Sequence, residues 1–323
     1  MSTNTFAPQK AKASKKNFGG LPSRSQITVV GAGAFGGWTA LYLLRNGFRV
    51  TLVDAWGAGN SRSSSGDETR VIRSTYGANE TYFDLNVRAL TLWKENQERF
   101  GKKLFYNNGV IWLCYDEKAP IVDDSIPFTH KHNMEYEYLT PSEIKKRYPV
   151  IQTADLHHAW LDTYGGYLKA RESCQAVHEA FLKEGGTFVQ AYVQPGEISS
   201  GRLQQIILSN GDKLITDAYL FACGPWLGQL FPSVLSKTIT CTKQEAYYFG
   251  VPQQLAQQFD QLPAWVDLDG KDFYYGIPGN ANRGFKIGVD KRGEDFDPTT
   301  DDRIFNPLVL VMLESLLNTA FQL

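Results

Sequence analysis

The chain has 323 residues, of which 42% are hydrophobic and 13% aromatic, a composition typical of a globular protein with a large core. Its formal net charge of −1 gives no reason to expect nucleic acid or an anionic membrane as a partner. The cysteines at 114, 174, 223 and 241 form no C-x-x-C pair, which argues against a zinc site or a disulfide framework and favours a cytoplasmic location.

Residues 1–25 carry several basic residues and no acidic one. They lack the apolar central region of a secretory signal, so we expect a disordered basic tail, and a short basic targeting arm is the alternative. No apolar run anywhere in the chain has the length needed to span a bilayer.

A glycine turn follows the first predicted strand. Ile27–Val30 is a short apolar run, mostly β-branched, as in a buried parallel strand. Gly31, Gly33 and Gly36 then complete the pattern G-x-G-x-x-G. The first glycine permits a tight turn, the second a close approach to a pyrophosphate, and the third close packing of helix on strand.

The segment after the turn completes a β-α-β unit. Trp38–Arg45 is predicted as the helix and Phe48–Val53 as the second strand. Asp54 stands at the end of this strand, where a carboxylate accepts hydrogen bonds from a ribose. The sequence therefore predicts a dinucleotide site, and the alternative is a glycine-rich turn used only for packing. The motif itself does not choose between FAD and NAD.

Residues 55–77 form a predicted loop rich in serine and glycine. Donors between Ser61 and Thr69 are expected to bind phosphate or flavin oxygens. Arg70 and Arg73 would share one helix face if residues 69–74 were helical. A solvated loop with incidental arginines is the alternative.

Further elements follow the periodicity of the apolar residues. The predicted helices are Thr81–Phe100, a short helix with a Thr140/Glu143 capping box, Ala170–Glu184, and one starting at Pro307. The predicted strands are Phe105–Cys114, Glu135–Leu139, Phe188–Val193, Leu203–Leu208, Lys213–Thr216, Ala218–Cys223, Gln244–Phe249, Ala264–Leu268, Phe273–Ile277 and Phe285–Val289.

Lys286 alternates with apolar residues in a strand that otherwise looks buried. Burying a lysine is costly unless it is paired or functional. We therefore interpret Lys286 as a functional residue; the alternative is an edge lysine that reaches solvent.

Several of these segments together resemble the FAD-dependent amine oxidases of the sarcosine oxidase group, within the D-amino acid oxidase family. The resemblance rests on G-A-G-A-F-G-G at 31–37, Asp54, S-S-G-D-E-T-R-V-I-R at 64–73, G-P-W at 224–226, Y-G-I-P at 275–278 and G-F-K at 284–286. It covers about residues 26–310.

The resemblance implies FAD as the cofactor and a set of contact residues for it. These residues are Gly31, Gly33, Ala34, Phe35, Gly36, Asp54, Ala55, Ser64, Ser65, Thr69, Arg70, Val193, Cys223, Gly224 and Trp226. Val193 matches the family's backbone contact to the adenine, and Gly224 matches a glycine that lies against the dinucleotide. This second site favours FAD over NAD.

The resemblance also implies roles in the chemistry. Lys286 matches the lysine that lies over the flavin and promotes its reaction with oxygen. Arg73 would bind a substrate carboxylate, Arg70 would stabilise the reduced flavin, and Tyr275 would line the pocket. The implied substrate is a secondary amine or N-methyl amino acid, with O2 as electron acceptor and H2O2 as product, and no metal is implied.

The sequence departs from the family in three places. Ser64 and Ser65 stand where several members carry histidines, and one extra residue lies between Gly66 and Thr69. No cysteine matches a covalent attachment position for FAD. The family's closing C-terminal segment has no counterpart, so we expect a truncated gene product or fragment.

The predicted fold class is α/β, with a Rossmann-like FAD-binding domain and an inserted mixed-sheet α+β substrate domain. The predicted division assigns residues 1–25 to the tail, 26–104 and 159–235 to the FAD domain, 105–158 and 236–300 to the substrate domain, and 301–323 to a terminal helix. Two alternative functions remain: a flavin dehydrogenase with another electron acceptor, and a non-catalytic remnant.

Overall fold

The computed structural model describes residues 20–268, 273–279, 281 and 283–321. Residues 1–19 of the predicted tail and residues 322–323 of the predicted terminal segment lie outside the described residues. The chain divides into two compact units. The first unit comprises Met1–Gly57 and Val177–Cys223, and the second comprises Ala58–Ala176 and Gly224–Leu323. The functional division predicted from the sequence stays a prediction.

The strands and helices are numbered in chain order. The strands are β1 Gln26–Val30, β2 Arg49–Asp54, β3 Thr69–Ile72, β4 Phe105–Tyr106, β5 Val110–Cys114, β6 Tyr136–Leu139, β7 His158–Asp162, β8 Gly166–Lys169, β9 Thr187–Gln190, β10 Val193–Pro195, β11 Ile198–Ser199, β12 Arg202–Leu203, β13 Ile206–Leu208, β14 Lys213–Leu214, β15 Ala218–Phe221, β16 Ala246–Phe249, β17 Ala264–Leu268, β18 Phe273–Ile277 and β19 Phe285–Asp290. The helices are α1 Ala34–Arg45, α2 Glu80–Phe100, α3 Pro120–Asp123, α4 Ile126–Lys131, α5 Pro141–Arg147, α6 Ala170–Lys183, α7 Leu227–Leu230, α8 Pro232–Leu235, α9 Ala256–Asp260 and α10 Pro307–Ala320, with 3-10 turns at Gly224–Trp226 and Gln253–Leu255.

The first unit contains the predicted parallel sheet. Within the described residues its strand order is β15-β1-β2-β9, and each pairing is parallel. The predicted strand 188–193 is wrong in extent: β9 ends at Gln190, and β10 begins at Val193 in a different sheet. The sequence also suggests burial for the apolar strand predicted at 218–223, and this is wrong, because β15 is an edge strand and Leu220 is 37% exposed.

The second unit contains a mixed sheet, as predicted. In the described part of the chain its order is β16-β19-β18-β17-β5-β7-β6, and β17 pairs parallel to β5 while the other pairings are antiparallel. One face of this sheet packs on a core cluster that includes Leu313 and Leu317 of α10 and Phe321 just beyond it. The rest of α10 is less covered, and Leu308 and Val311 stay exposed.

In the second unit, one predicted strand is wrong in extent, and the helical condition set for Arg70 and Arg73 is not met. The strand 105–114 is two strands in different sheets, separated by Gly109 at φ +85°. Residues 69–72 form β3 instead of a helix, because Thr69, Val71 and Ile72 are β-branched and pair with β8. The capping box at Thr140 and Glu143 is confirmed. Among the described residues, no helix is both long and apolar enough to cross a bilayer.

Candidate functional site

The glycine turn has the geometry of a nucleotide-binding turn. Gly31 has φ +104°, and its N–H donates to the Val53 carbonyl at 2.7 Å. A Cβ at Gly31 would lie 2.4 Å from the Ala222 carbonyl oxygen, and one at Gly36 would lie 1.8 Å from the Gly31 carbonyl oxygen. Both positions therefore need glycine for close packing, and Gly31 also needs it for its conformation, as the motif predicts.

Helix α1 starts directly at this turn. Its N-cap is Gly33, which has no side-chain cap, and its first turn carries no acidic residue. The helix dipole favours an anion at such an end. Ala34 and Phe35 lie in the first turn, and the Phe35 side chain is 85% exposed. The turn thus fits the phosphates of a dinucleotide.

Asp54 fixes the backbone beside the turn. One carboxylate oxygen accepts a hydrogen bond from the Ala32 N–H at 2.8 Å, and the other accepts from the Trp56 and Gly57 N–H groups, each at 2.8 Å. A carboxylate has about four acceptor positions. These three bonds leave an acceptor position for a ribose hydroxyl. Asp54 can therefore stabilise the turn and also make the ribose contact predicted from the sequence. The adjacent Ala55 carbonyl accepts from the Gln190 side chain at 3.4 Å.

Val193 and Cys223 lie in one apolar cluster of the first unit. Its buried members are Val30, Val53, Ile206 and Leu208. Burial and then the Asp54 charge raise the pKa of the Cys223 thiol to about 12, so this cysteine is neutral at neutral pH. Val193 and Cys223 thus line the region at the ends of β1 and β2.

Gly224 and Trp226, which belong to the second unit, form a 3-10 turn. Gly224 has φ +51°, and a Cβ there would meet nothing within 4 Å. The Trp226 Nε1–H donates to the Thr299 hydroxyl at 3.0 Å. Gly224 is therefore required by its backbone conformation, with open space beside it.

The serine-rich loop of the second unit is held by its own backbone. Gly66 approaches the Asn60 carbonyl so closely that a Cβ would lie 1.8 Å from that oxygen. The Ser64 carbonyl accepts a 2.6 Å hydrogen bond from Arg70, and the Ser65 carbonyl lies 3.9 Å from the Cys174 sulfur. The predicted contact residues Ser64, Ser65 and Arg70 are thus close neighbours.

Lys286 lies at the centre of a polar cluster in the second unit. It is 1% exposed, so it does not reach solvent. Its Nζ donates to the Asp67 carboxylate at 2.5 Å and to the Thr69 carbonyl at 2.9 Å. The predicted site residues Lys286 and Thr69 are therefore in contact, although they are 217 residues apart in the chain.

Asp67 compensates the buried charge. Its other oxygen accepts from the Tyr248 hydroxyl and the Glu68 N–H, each at 2.7 Å. Burial raises the pKa of the Asp67 carboxyl, but Lys286, Tyr248 and Arg70 outweigh burial and hold that pKa below its usual value. Burial lowers the pKa of Lys286, and Asp67 opposes that shift.

Tyr275 lies beside the lysine. Its ring centre is 6.0 Å from the Lys286 Nζ, and the Tyr248 ring centre is 5.9 Å from it. Burial raises the pKa of Tyr275, so its phenol is neutral at neutral pH. Lys286 thus sits between aromatic faces and one carboxylate.

Arg73 occupies a separate aromatic environment in the same unit. Its guanidinium carbon lies 4.7 Å from the Tyr76 ring centre and 5.7 Å from that of Trp112. Its Nε is buried and has no hydrogen-bond partner among the described residues. The next residue, Ser74, is fixed by its N–H, which donates to the buried Asp162 carboxylate at 2.8 Å. The Arg73 guanidinium is therefore positioned by two aromatic rings and has one N–H donor that is not used within the described residues.

Sequence reasoning missed two members of the Lys286 cluster, Asp67 and Tyr248. Asp67 is part of the recognised G-D-E-T-R run but received no role. The predicted burial of Lys286 could have indicated an acidic partner, because a buried lysine requires a nearby opposite charge. Tyr248 carried no such signal, since it is one of many aromatic strand residues.

Comparison with known proteins places these residues in a family. The sequence profile of the DAO family, described as FAD dependent oxidoreductase, matches residues 26–318. Monomeric sarcosine oxidase of Arthrobacter sp. (strain TE1826) is 26% identical over 282 residues, which are 86% of this chain and 72% of that protein. N-methyl-L-tryptophan oxidase of Yersinia pestis (strain Pestoides F) is 24% identical over 274 residues, 83% of this chain and 71% of that protein. A modified fructosyl peptide oxidase from Aspergillus nidulans has the same fold, with a TM-score of 0.76 and 18% identity over 92% of this chain and 76% of that one.

Proposed function

This chain belongs to the DAO family of FAD-dependent oxidoreductases, and from that premise we propose that it oxidises the carbon–nitrogen bond of a secondary amine or N-methyl amino acid. The oxidases named for sarcosine and N-methyl-L-tryptophan support this substrate class, because each covers most of the chain. The buried Lys286 in its cluster with Asp67 is the observation that carries the proposal.

The cofactor proposal rests on the glycine turn. Gly31, Gly33 and Gly36 would hold the pyrophosphate of FAD at the start of α1, and Asp54 would hold a ribose hydroxyl. We propose the remaining FAD contacts, including Val193, Gly224 and Trp226, on the resemblance. When bound, FAD supplies the acceptor for the hydride of the carbon beside nitrogen and, once reduced, reacts with O2 to give H2O2.

The residues of the second unit would act on the amine and on oxygen. Arg73 would bind a substrate carboxylate through its unused donor and the rest of its guanidinium. Tyr275 would shape the apolar side of the pocket, and Arg70 would stabilise developing negative charge. Lys286 would supply a fixed positive charge to the oxygen reaction, because its burial makes that charge strong locally.

The electron acceptor separates this proposal from its nearest alternative. An oxidase releases one H2O2 for each amine oxidised, whereas a flavin dehydrogenase passes its electrons to another carrier. The Lys286 charge supports the oxidase, since superoxide-like charge develops when oxygen accepts an electron.

An anaerobic titration tests the proposal. The purified 323-residue chain is loaded with FAD, and its visible spectrum is recorded before and after sarcosine or another N-methyl amino acid is added without oxygen. We expect bleaching by the amine and recovery of the colour with stoichiometric H2O2 when air is admitted. Bound flavin that no amine reduces would contradict the proposal and support a non-catalytic remnant, and recovery only with an artificial acceptor would support a dehydrogenase.

A further inference from the structure

Lys286 occupies a strand position where its charge has no access to water. It lies in β19, which has β18 on one side and β16 on the other, and its neighbours Phe285 and Ile287 are fully buried. An isolated ammonium in such a place would lose its proton or destabilise the fold. Something nearby therefore has to keep it charged.

The charged and titratable groups facing Lys286 come from three segments. Asp67 and Arg70 come from the loop before β3 and from β3 itself, Tyr248 comes from β16, and Tyr275 comes from β18. Asp67 is the one acid in this set, and Arg70 opposes it with a guanidinium nitrogen 3.8 Å from the Asp67 carboxylate. The state of Lys286 therefore depends on Asp67.

The Asp67 carboxylate is held in one orientation. The oxygen that does not face Lys286 accepts from the Tyr248 hydroxyl and from the Glu68 N–H. The backbone of this loop is anchored as well, because the Asp67 and Glu68 carbonyls accept the N–H groups of Arg171 and Ala170, at 3.0 and 2.9 Å. The carboxylate is thus a fixed feature of the fold.

Glu68, the neighbour of Asp67 in this loop, adds a second anchor. Its carboxylate forms ion pairs with Arg171, at 3.3 Å, and with Arg283. Arg283 stands three positions before Lys286, so the loop that carries Asp67 is tied to the segment that leads into β19.

The ammonium of Lys286 has three N–H donors. In the described part of the chain, one binds Asp67 and one binds the Thr69 carbonyl. The third donor has no partner among those residues, and the other two bonds fix its direction. We propose that Asp67 is a positioning residue that keeps Lys286 charged and directs its remaining N–H at the reacting partner, with Tyr248 fixing the carboxylate.

The functional importance of the Asp67–Lys286 ion pair rests on the proposed role of Lys286. The ion pair itself can be tested without flavin or amine. The apparent unfolding temperature of the cofactor-free chain is measured for Asp67→Asn, Lys286→Met and the double variant. We expect Asp67→Asn to lower it by roughly 10 °C, because the lysine charge is left uncompensated. We expect Lys286→Met to recover much of that loss in the double variant.

Asp162→Asn is the matched control. Asp162 is also a buried acid of the second unit, but it accepts from the backbone N–H groups of Ser74, Tyr164 and Gly165 instead of a lysine. Asp162→Asn should lower the unfolding temperature by the same amount in the wild-type chain and in the Lys286→Met variant. An Asp67→Asn loss that Lys286→Met leaves unchanged would overturn the proposal and reduce Asp67 to a loop anchor.

A second measurement applies even if Asp67→Asn does not fold. In Lys286→Met, the lysine no longer lowers the pKa of Asp67, and only Tyr248 and Arg70 still oppose burial, so this pKa rises above its wild-type value. The folded variant then binds a proton at Asp67 more tightly than folded wild type does, so its stability deficit relative to wild type shrinks as pH falls from 7 to 4. A deficit that stays constant over this range would overturn the proposal.

The flavin-loaded protein separates this inference from the proposed function. Without the Asp67 charge the pKa of Lys286 falls further, so in Asp67→Asn the fast reoxidation should be lost at a lower pH than in wild type. If the unfolding temperatures show that Asp67 and Lys286 are coupled, the pairing is upheld. If reoxidation then depends on neither residue, the role of Lys286 in the oxygen reaction is refuted.

Discussion

Tyr275 lies directly opposite Gly288 in the β18–β19 pair, and its ring occupies the space where a side chain at 288 would begin. A Cβ at Gly288 would lie 2.7 Å from the Tyr275 phenol oxygen. The same arrangement recurs one strand away, where Gly276 lies opposite Trp265 and a Cβ would lie 2.3 Å from its Nε1. Glycines thus let large rings lie flat on this sheet, Tyr275 beside Lys286 and Trp265 in the core cluster with Phe285.

Gly288→Ala should displace the Tyr275 ring. We expect a loss of about 1–3 kcal/mol in stability from overpacking, and a raised KM for the amine because Tyr275 lines the proposed pocket. Thermal unfolding and steady-state kinetics measure both effects. Gly250→Ala is the control, since a Cβ at Gly250 meets nothing within 4 Å. If Gly288→Ala leaves KM unchanged while the ring moves, Tyr275 has no place in the pocket.

Gly36→Ala should abolish FAD binding. Its Cβ would lie 1.8 Å from the Gly31 carbonyl oxygen, so α1 would have to move away from β1 and distort the turn. Bound flavin per chain, measured by visible absorbance, reports the loss. The control is Gly37→Ala on the same helix, where the nearest atom is a Val177 methyl at 3.5 Å. That variant should bind FAD normally and gain up to about 1 kcal/mol of stability; equal binding by both variants would refute the role of the turn.

Lys286→Met should separate the two half-reactions. The methionine keeps the bulk of the lysine side chain and removes its charge, so flavin reduction by the amine should change little. Reoxidation by O2 should slow by about a hundredfold or more, because one fixed charge at a developing anion contributes about 3 kcal/mol or more. Stopped-flow measurements follow each step. Equal slowing of both would show that the lysine has no specific role in the oxygen reaction.

Arg73→Lys should weaken the binding of carboxylate-containing amines. A lysine cannot stack on Tyr76 and Trp112 as a planar guanidinium does, and it cannot pair with a carboxylate in bidentate fashion. We expect the Kd of an N-methyl amino acid to rise by about tenfold or more, measured by spectral titration. An N-methylamine without a carboxylate serves as the matched ligand. A similar loss for both ligands would contradict the assignment.

His158 should make the second unit sensitive to mild acid. It is buried in β7, its ring stacks on Tyr138 at 5.1 Å, and its Nδ1 lies 3.0 Å from that of His157. Burial and then His157 lower the pKa of His158 from its ordinary 6.5, with Asp123 opposing. The unfolded chain therefore binds the proton more tightly, and stability falls as pH drops below about 6.5 towards the folded pKa.

The variant His158→Phe keeps the stacking and should flatten this acid limb of the stability curve. Unfolding temperatures recorded between pH 5 and 8 measure the pH dependence of stability for both proteins. The exposed His130 provides the control, as His130→Gln should leave the limb unchanged. A His158→Phe variant with the wild-type pH dependence would show that another group titrates.

Local signals were enough to predict the glycine turn and the capping box. Gly31, Gly36 and Asp54 act within one β-α-β unit, where spacing along the chain determines spacing in the fold. The segment around Arg70 was harder, because its strand pairs with β8 about a hundred residues later, and tertiary pairing decides such short segments. The burial of Lys286 was predictable from its apolar neighbours, but its partner was not, since Asp67 is 219 residues away.

The pairing of β5 with β17 has a consequence for how the chain folds. Asn108 and Leu262, which flank these strands and hydrogen-bond to each other, are 154 residues apart, and the first unit's Val177–Cys223 segment lies between them in sequence. During synthesis, one edge of β5 remains unpaired until β17 has left the ribosome. Closing so long a loop is slow, so we expect the second unit to complete its sheet late and to depend on chaperones at high expression.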